Sequence, residues 1–265
     1  MALIYEDLTH ELIGCSFDVH NSLGVGYDEN AYHKALERRL GRKGITYLSE
    51  ARKILMHRDR KVREFKADLI VSDKIILELK ALQAKFLRAN YVQIISELKL
   101  WQMRLGLLVN FGLQKVQIER IPFTEKARTV RENFDYVRDG LSQQERATLA
   151  KLRDAVLNVS EIHGLGYDEI TCRKLVEAEL EFQQIKFQNR YPIKISYEGE
   201  SIGVFKMKPL LIGNRMICDI KALTDTIDFY DIAKIQSCLK ALKLKVGIIV
   251  NFGKTALEIR GVRSA

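Results

Sequence analysis

Residues 65–82 read Phe-Lys-Ala-Asp-Leu-Ile-Val-Ser-Asp-Lys-Ile-Ile-Leu-Glu-Leu-Lys-Ala-Leu. Two apolar runs, 69–71 and 75–77, flank Ser72-Asp73-Lys74, which predicts two adjacent strands joined by a tight turn. Three charged residues, Asp68, Glu78 and Lys80, stand inside this apolar setting. Side chains alternate faces along a strand, so Glu78 and Lys80, two apart, point the same way. Asp68, at the start of the first apolar run, can meet them across the hairpin. Two carboxylates beside one ammonium, flanked by Ile and Leu, are costly as a passive core. Carboxylates converging on one point suit a hard divalent cation such as Mg²⁺. An acid or a lysine near a strand end is otherwise an ordinary solvated group, so the choice rests on the rest of the chain.

Outward from this stretch, the chain repeats itself. Gly26-Tyr27-Asp28-Glu29 recurs as Gly166-Tyr167-Asp168-Glu169, and Glu78-Leu79-Lys80-Ala81-Leu82 as Asp219-Ile220-Lys221-Ala222-Leu223. The run from Gly106 to Gly112, Gly-Leu-Leu-Val-Asn-Phe-Gly, recurs from Gly247 to Gly253 as Gly-Ile-Ile-Val-Asn-Phe-Gly. Three blocks in one order at a nearly fixed offset define two copies of one domain. The copies are expected over 1–123 and 142–265, with 124–141 a charged, partly helical linker. Ser142-Gln-Gln-Glu145 reads as a capping box opening the first helix of the second copy.

In the first copy, apolar spacing predicts a helix over 8–23, broken by Gly24 and Gly26, and a second over 29–40. Strands are expected over 45–56, 61–71 and 74–82, then a helix over 85–101 and strands over 105–111 and 115–121. The order is α-α-β-β-β-α-β-β.

The 265 residues, 47% of them hydrophobic, are enough for two small cores. No apolar run approaches the roughly 20 residues of a membrane helix, and the first residues lack a signal peptide's basic and apolar regions. Four scattered cysteines, Cys15, Cys172, Cys218 and Cys238, form no CxxC pair, so a soluble cytoplasmic protein is expected. Lys and Arg outnumber Asp and Glu by 43 to 34, which favours an anionic partner, nucleic acid first. The densest basic cluster, Arg58, Arg60, Lys61, Arg63 and Lys66, directly precedes Asp68 and is read either as a nucleic-acid contact or as a solvated face.

The ordered set Gly26-x-x-Glu29-x-x-Tyr32, Asp68, Glu78-x-Lys80, Gln93 and the Gly106–Gly112 strand resembles the GxxExxY proteins of the PD-(D/E)XK nuclease superfamily. The resemblance covers most of both copies. Glu-x-Lys alone is a weak motif, whereas the whole set is specific. It implies an α/β fold: two tandem restriction-endonuclease-like domains, each a mixed central sheet flanked by helices. It also implies roles. Asp68 and Glu78 ligate Mg²⁺ or Mn²⁺, and the carbonyl of Leu79 adds a ligand. Lys80 positions or activates the attacking water and stabilises phosphorane charge. Glu29 is a further metal ligand or a water-holding residue, and Gln93 matches a glutamine near the site in many members. The substrate is nucleic acid, DNA before RNA.

The second copy departs from this pattern. Pro209 stands where Asp68 would be, Lys234 where Gln93 would be, and Cys172 where Tyr32 would be, while Glu169, Asp219 and Lys221 remain. One sheet carboxylate with Lys208 and Lys234 nearby is a poor cation site and looks better suited to an anion. The second copy is expected to bind nucleic acid or to buttress the first, the two forming an intramolecular pseudo-dimer. His20, near the bend before Glu29, reads as structural or as lining the site. Asn110-Phe111-Gly112 reads as a turn, and Tyr91 and Trp101, at helical spacing with Ile94 and Leu98, as core or as rings that stack on bases. The expected function is a metal-dependent nuclease centred on the first copy. The alternative is a non-catalytic nucleic-acid-binding or scaffold protein on the same fold.

Overall fold

The protein's structure, a computed structural model, describes residues 3–125, 129–222, 226–253 and 255–264. Contacts divide the chain into two units: Met1–Leu55 with Arg63–Glu125, and Met56–Val62 with Lys126–Ala265.

The first unit opens with helices α1 (Glu6–Leu23) and α2 (Glu29–Arg42), followed by strands β1 (Tyr47–His57), β2 (Arg60–Val71) and β3 (Ile75–Lys80). Helix α3 (Arg88–Trp101) then leads to β4 (Leu105–Asn110) and β5 (Gln117–Pro122). This is the predicted order of elements. The five strands form one mixed sheet in sequence order, with β2–β3 and β4–β5 antiparallel and β3–β4 parallel. The hairpin pairs Leu69 with Leu77, as the quoted stretch demands. Strands β3 and β4 are apolar almost without interruption because helices cover both faces.

Alternation sorts the side chains between those faces. Leu69, Leu77, Leu79 and Val109 pack with Leu12, Cys15, Leu36 and Leu40 of α1 and α2. Ile70, Ile76 and Leu108 pack with Ile94 and Leu98 of α3. Truncating any of these leucines to Ala would cost about 2–5 kcal/mol. Asp68, Glu78 and Lys80 share the parity of Ile70 and Ile76, so the pleat puts them on the α3 side of the sheet. Gly106 lets α3 come close: a Cβ there would lie 2.5 Å from Cδ1 of Ile94.

The second unit has helices α5 (Gln143–His163) and α6 (Glu169–Phe182), then short β7 (Phe187–Gln188). A hairpin of β8 (Pro192–Tyr197) and β9 (Glu200–Lys206) follows, then β10 (Leu210–Ile212), β11 (Met216–Ala222), α7 (Phe229–Leu242), β12 (Val246–Phe252) and β13 (Ala256–Arg263). The predicted capping box forms: Ser142 accepts from the amide of Glu145, and Glu145 accepts from that of Ser142.

Two features depart from expectation. The stretch read as a linker contributes β6 (Thr129–Asn133), paired parallel with β13 at the sheet edge, and the short helix α4 (Asp135–Arg138). Residues 126–128 of that stretch, Arg128 among them, lie outside the described residues, as does Leu223 of the repeated block. The hairpin that is continuous as β1–β2 in the first unit is split in the second. There β7 and β10 stay in a six-stranded sheet while β8 and β9 form a two-stranded one. Pro209 lies at the break, between β9 and β10, and cannot donate to a ladder.

Candidate active site

The quoted hairpin brings Asp68, Glu78 and Lys80 together at the end of β3. Asp68 Oδ2 accepts from the amide of Leu79 at 2.8 Å. Lys80 Nζ donates to Glu78 Oε1 at 2.5 Å. Helix α3 delivers Gln93, whose Nε2 donates to the same Glu78 oxygen at 2.5 Å. The turn after α1 delivers Glu29: Asp28 caps α2 by accepting from the amide of Ala31 at 2.8 Å, and Glu29 Oε2 comes within 3.7 Å of Lys80 Nζ. All five residues expected at the catalytic centre are therefore neighbours.

A sixth joins them that the sequence reading does not single out. Gln93 Nε2 also reaches Glu97 Oε1 at 3.1 Å, and Glu97 is 1% exposed. The available signal is its position one turn after Gln93, between Ile94 and Leu98 on the buried side of α3. An acid so placed cannot be a surface residue.

Burial and crowding set the electrostatics. Burial, then Glu97 and Asp68, hold the Glu78 carboxyl well above the usual carboxylate range. Glu97 is pushed up to about 7, chiefly by burial. Burial also raises Glu29, with Asp68 adding to it against the pull of Lys80. Burial alone would lower Lys80, but Glu78 and then Glu29 outweigh it and keep the group an ammonium.

These residues fit a divalent cation. Glu78 Oε2 and Glu97 Oε2 are buried without a hydrogen-bond partner, which leaves two carboxyl oxygens for a cation to satisfy. Among the described residues no three His, Cys, Asp or Glu side chains stand ready to enclose an ion. A cation held by Asp68 and Glu78 would therefore take its remaining ligands from water and substrate.

The Asn-Phe-Gly strand end is more than a turn. Asn110 Oδ1 accepts from the amides of Leu82 and Gly112, and its Nδ2 donates to the carbonyls of Leu82 and Ala84. The segment leaving Lys80 is thus clamped to β4. A Cβ at Gly112 would lie 2.4 Å from the Leu82 carbonyl oxygen, so only glycine admits this approach. Phe111 stacks on Tyr32 with centroids 4.8 Å apart, and the Tyr32 hydroxyl donates to Gly24 O at 2.8 Å. The glycine–glutamate–tyrosine motif thus fixes the turn that carries Glu29. His20 is structural: it is buried, with Nε2 2.9 Å from Leu113 O.

The basic cluster before Asp68 is not an open cationic patch. Arg58 lies over the Phe182 ring and pairs with Glu179, and Arg60 pairs with Glu181. Lys66 pairs with Glu50, Arg63 lies over Phe65, and Lys61 also makes an interaction. In the second unit His57 is buried, 2.6 Å from Glu179 and 2.8 Å from His163.

At the corresponding positions of the second copy, two lysines pair with acids. Buried Asp219 takes Lys234 at 2.9 Å, and Lys221 takes Asp231 at 2.6 Å. Asp231, at the position of Asn90 in the first copy, is a second acid the sequence reading passes over. Pro209 is buried, and Glu169 is exposed.

The PD-(D/E)XK nuclease superfamily profile matches residues 6–121 and again 146–262. The chain belongs to that superfamily, as a tandem pair of its domains. Its nucleases usually use divalent metal ions. No curated protein matches the chain. The crystal structure of SSO0001 is similar at 20% identity and a TM-score of 0.30, over 36% of this chain. The match spans about half, 51%, of that structure's chain.

Proposed function

We propose that the first unit is a Mg²⁺- or Mn²⁺-dependent nuclease that hydrolyses phosphodiester bonds of nucleic acid, DNA before RNA. The second unit is its catalytically degenerate copy. The observation that carries this reading is the meeting of Asp68, Glu78, Lys80, Gln93 and Glu29 around a buried carboxylate oxygen without a partner. The motif running from Gly26 to Tyr32 supports a place among the GxxExxY proteins, and four free, buried cysteines support a reducing compartment, the cytoplasm.

Asp68 and Glu78 would hold the cation, with the Leu79 carbonyl as a further ligand. Bound there, it would supply Lewis acidity at a phosphoryl oxygen and lower the pKa of an attacking water. Lys80, kept charged by Glu78, acts as a compact point charge on the phosphoryl oxygens and orients the water; it donates protons rather than taking them. Gln93 fixes the Glu78 carboxylate, leaving one oxygen bound and the other open. Glu29, on a capped helix end, stands across Lys80 to hold the water or the cation.

In the second unit Lys221 and Lys234 are each taken by an acid, and proline replaces the first carboxylate. This supports a unit without turnover. The test is cleavage of labelled single- and double-stranded DNA and RNA with Mg²⁺, Mn²⁺ or EDTA. Cutting that needs the metal is expected. Absence of cutting on every substrate would leave the binding or scaffold alternative.

A further inference from the structure

Arg58 and Arg60 of the second unit are engaged by acids. Another basic surface exists in the first unit. A groove of about 810 Å³ runs between α1 and α2. Helix α2 lines it with Lys34, Arg38, Arg39 and Arg42. Arg39 is tied to Asp18 across the groove. Lys34, Arg38 and Arg42 are exposed, and no acid pairs with them among the described residues.

These three follow one another at i, i+4 and i+8, so they form a straight row about 12 Å long. Like charges at this spacing repel and cost the helix a few tenths of a kcal/mol per pair. The helix dipole offsets that cost only in the last turn, at Arg42. A linear row of unpaired cations matches a linear polyanion. It matches a membrane surface less well, since that asks for a continuous apolar flank beside the charges; here Ala31 and Ala35 lie beside the row, and across the groove Val19 is buried and Leu23 is preceded by polar Asn21 and Ser22.

The row also leads to the site. The same helix begins at Glu29, 3.7 Å from Lys80. At that end Tyr27 lines the groove and is 54% exposed. It is held edge-on by Tyr32, with centroids 6.2 Å apart, and Tyr32 is itself stacked on Phe111. A fixed, exposed ring is a platform for a base.

We infer that the α1–α2 groove binds the phosphate backbone of the nucleic-acid strand presented to the site, through Lys34, Arg38 and Arg42, with Tyr27 stacking on a base at the site end. The ligand class rests on the nuclease reading, and the test separates the two. Fluorescence anisotropy of the full chain on labelled single-stranded and duplex DNA would be run in EDTA across a salt series. The triple variant Lys34→Glu/Arg38→Glu/Arg42→Glu and its neutral counterpart with Gln at all three positions would be compared with wild type, their folding checked by circular dichroism. The salt slope of log Kobs on duplex is expected to fall by about 0.9 per lost contact, so by about 2.7 for the neutral variant. Tyr27→Ala should weaken single-strand binding and leave the slope unchanged.

If wild type binds DNA through the row but never cuts it, the nuclease reading fails and this inference stands. Unchanged affinity and slope in both folded triple variants would overturn it. Binding of wild type to phosphatidylserine vesicles but not to nucleic acid would overturn it as well.

Discussion

Glu78 and Glu97, on different elements, share one donor: Gln93 Nε2 lies 2.5 Å from an oxygen of the first and 3.1 Å from an oxygen of the second. A single amide thus holds two buried carboxyls apart from solvent and beside each other.

Removing that amide should be costly when Glu97 is ionised. Gln93→Leu is expected to lower stability by about 1–3 kcal/mol at pH 8. At pH 5 the loss should shrink, because Glu97, raised to about 7, then carries a proton that it can donate in the amide's place. Urea unfolding at the two pH values checks this. An equal loss at both would contradict the shared-donor account.

A divalent cation should stabilise the first unit. A ligand present at 100 times its Kd adds about 2.7 kcal/mol. The melting transition of the wild-type chain should therefore rise on titration with Mn²⁺ or Mg²⁺. Asp68→Asn and Glu78→Gln should abolish the rise, and Asp219→Asn should leave it intact. A melt indifferent to both ions would count against the assigned ligands.

Asn110 should matter for position more than its place in a strand-end turn suggests. Asn110→Ala removes four hydrogen bonds, three to the segment after Lys80 and one to the amide of Gly112. At about 1 kcal/mol each, the loss should reach roughly 3–4 kcal/mol. Hydrogen exchange should speed up at Leu82, whose amide loses its acceptor. Unchanged protection there would show that the clamp is dispensable.

The second unit should lose stability in acid through Glu179. Burial would raise this carboxyl, but donors from Asn158, Gln183, His57 and Arg58 prevail and hold it at about 2, below its ordinary 4.5. A depressed carboxyl contributes fully above the unfolded value and loses the contribution as pH falls from 4.5 toward 2. At 1.36 kcal/mol per unit the contribution is roughly 3 kcal/mol at most. The stability gap between wild type and Glu179→Gln should be constant above pH 5 and close toward pH 2. A gap independent of pH would refute the assignment.

The hairpin, the two faces of the sheet and the meeting of Asp68, Glu78 and Lys80 were legible because strand alternation and a two-residue spacing are local signals. The repeated blocks made the tandem fold legible. Glu97 and Asp231 were not, because a carboxylate on a helix reads as solvated until the helix's neighbours are known. The role of Asn110 was hidden for a related reason, since its four partners lie on a loop 26 to 28 residues away and on its own turn. Strand β6 escaped because β13, its ladder partner among the described residues, lies more than 120 residues further along and pairs parallel to it. The contacts of the basic hairpin were hidden too: Arg58 and Arg60 find acids and an aromatic ring on α6 that no local pattern announces.

The most direct test of the central claim, turnover confined to the first copy, is a matched pair of cleavage assays with Mn²⁺ on one labelled substrate. Glu78→Ala and Lys80→Ala form one arm, Asp219→Ala and Lys221→Ala the other. The account predicts no cutting in the first arm and cutting within a few-fold of wild type in the second, provided both arms fold. Cutting that survives the first arm, or that is lost only in the second, would contradict it.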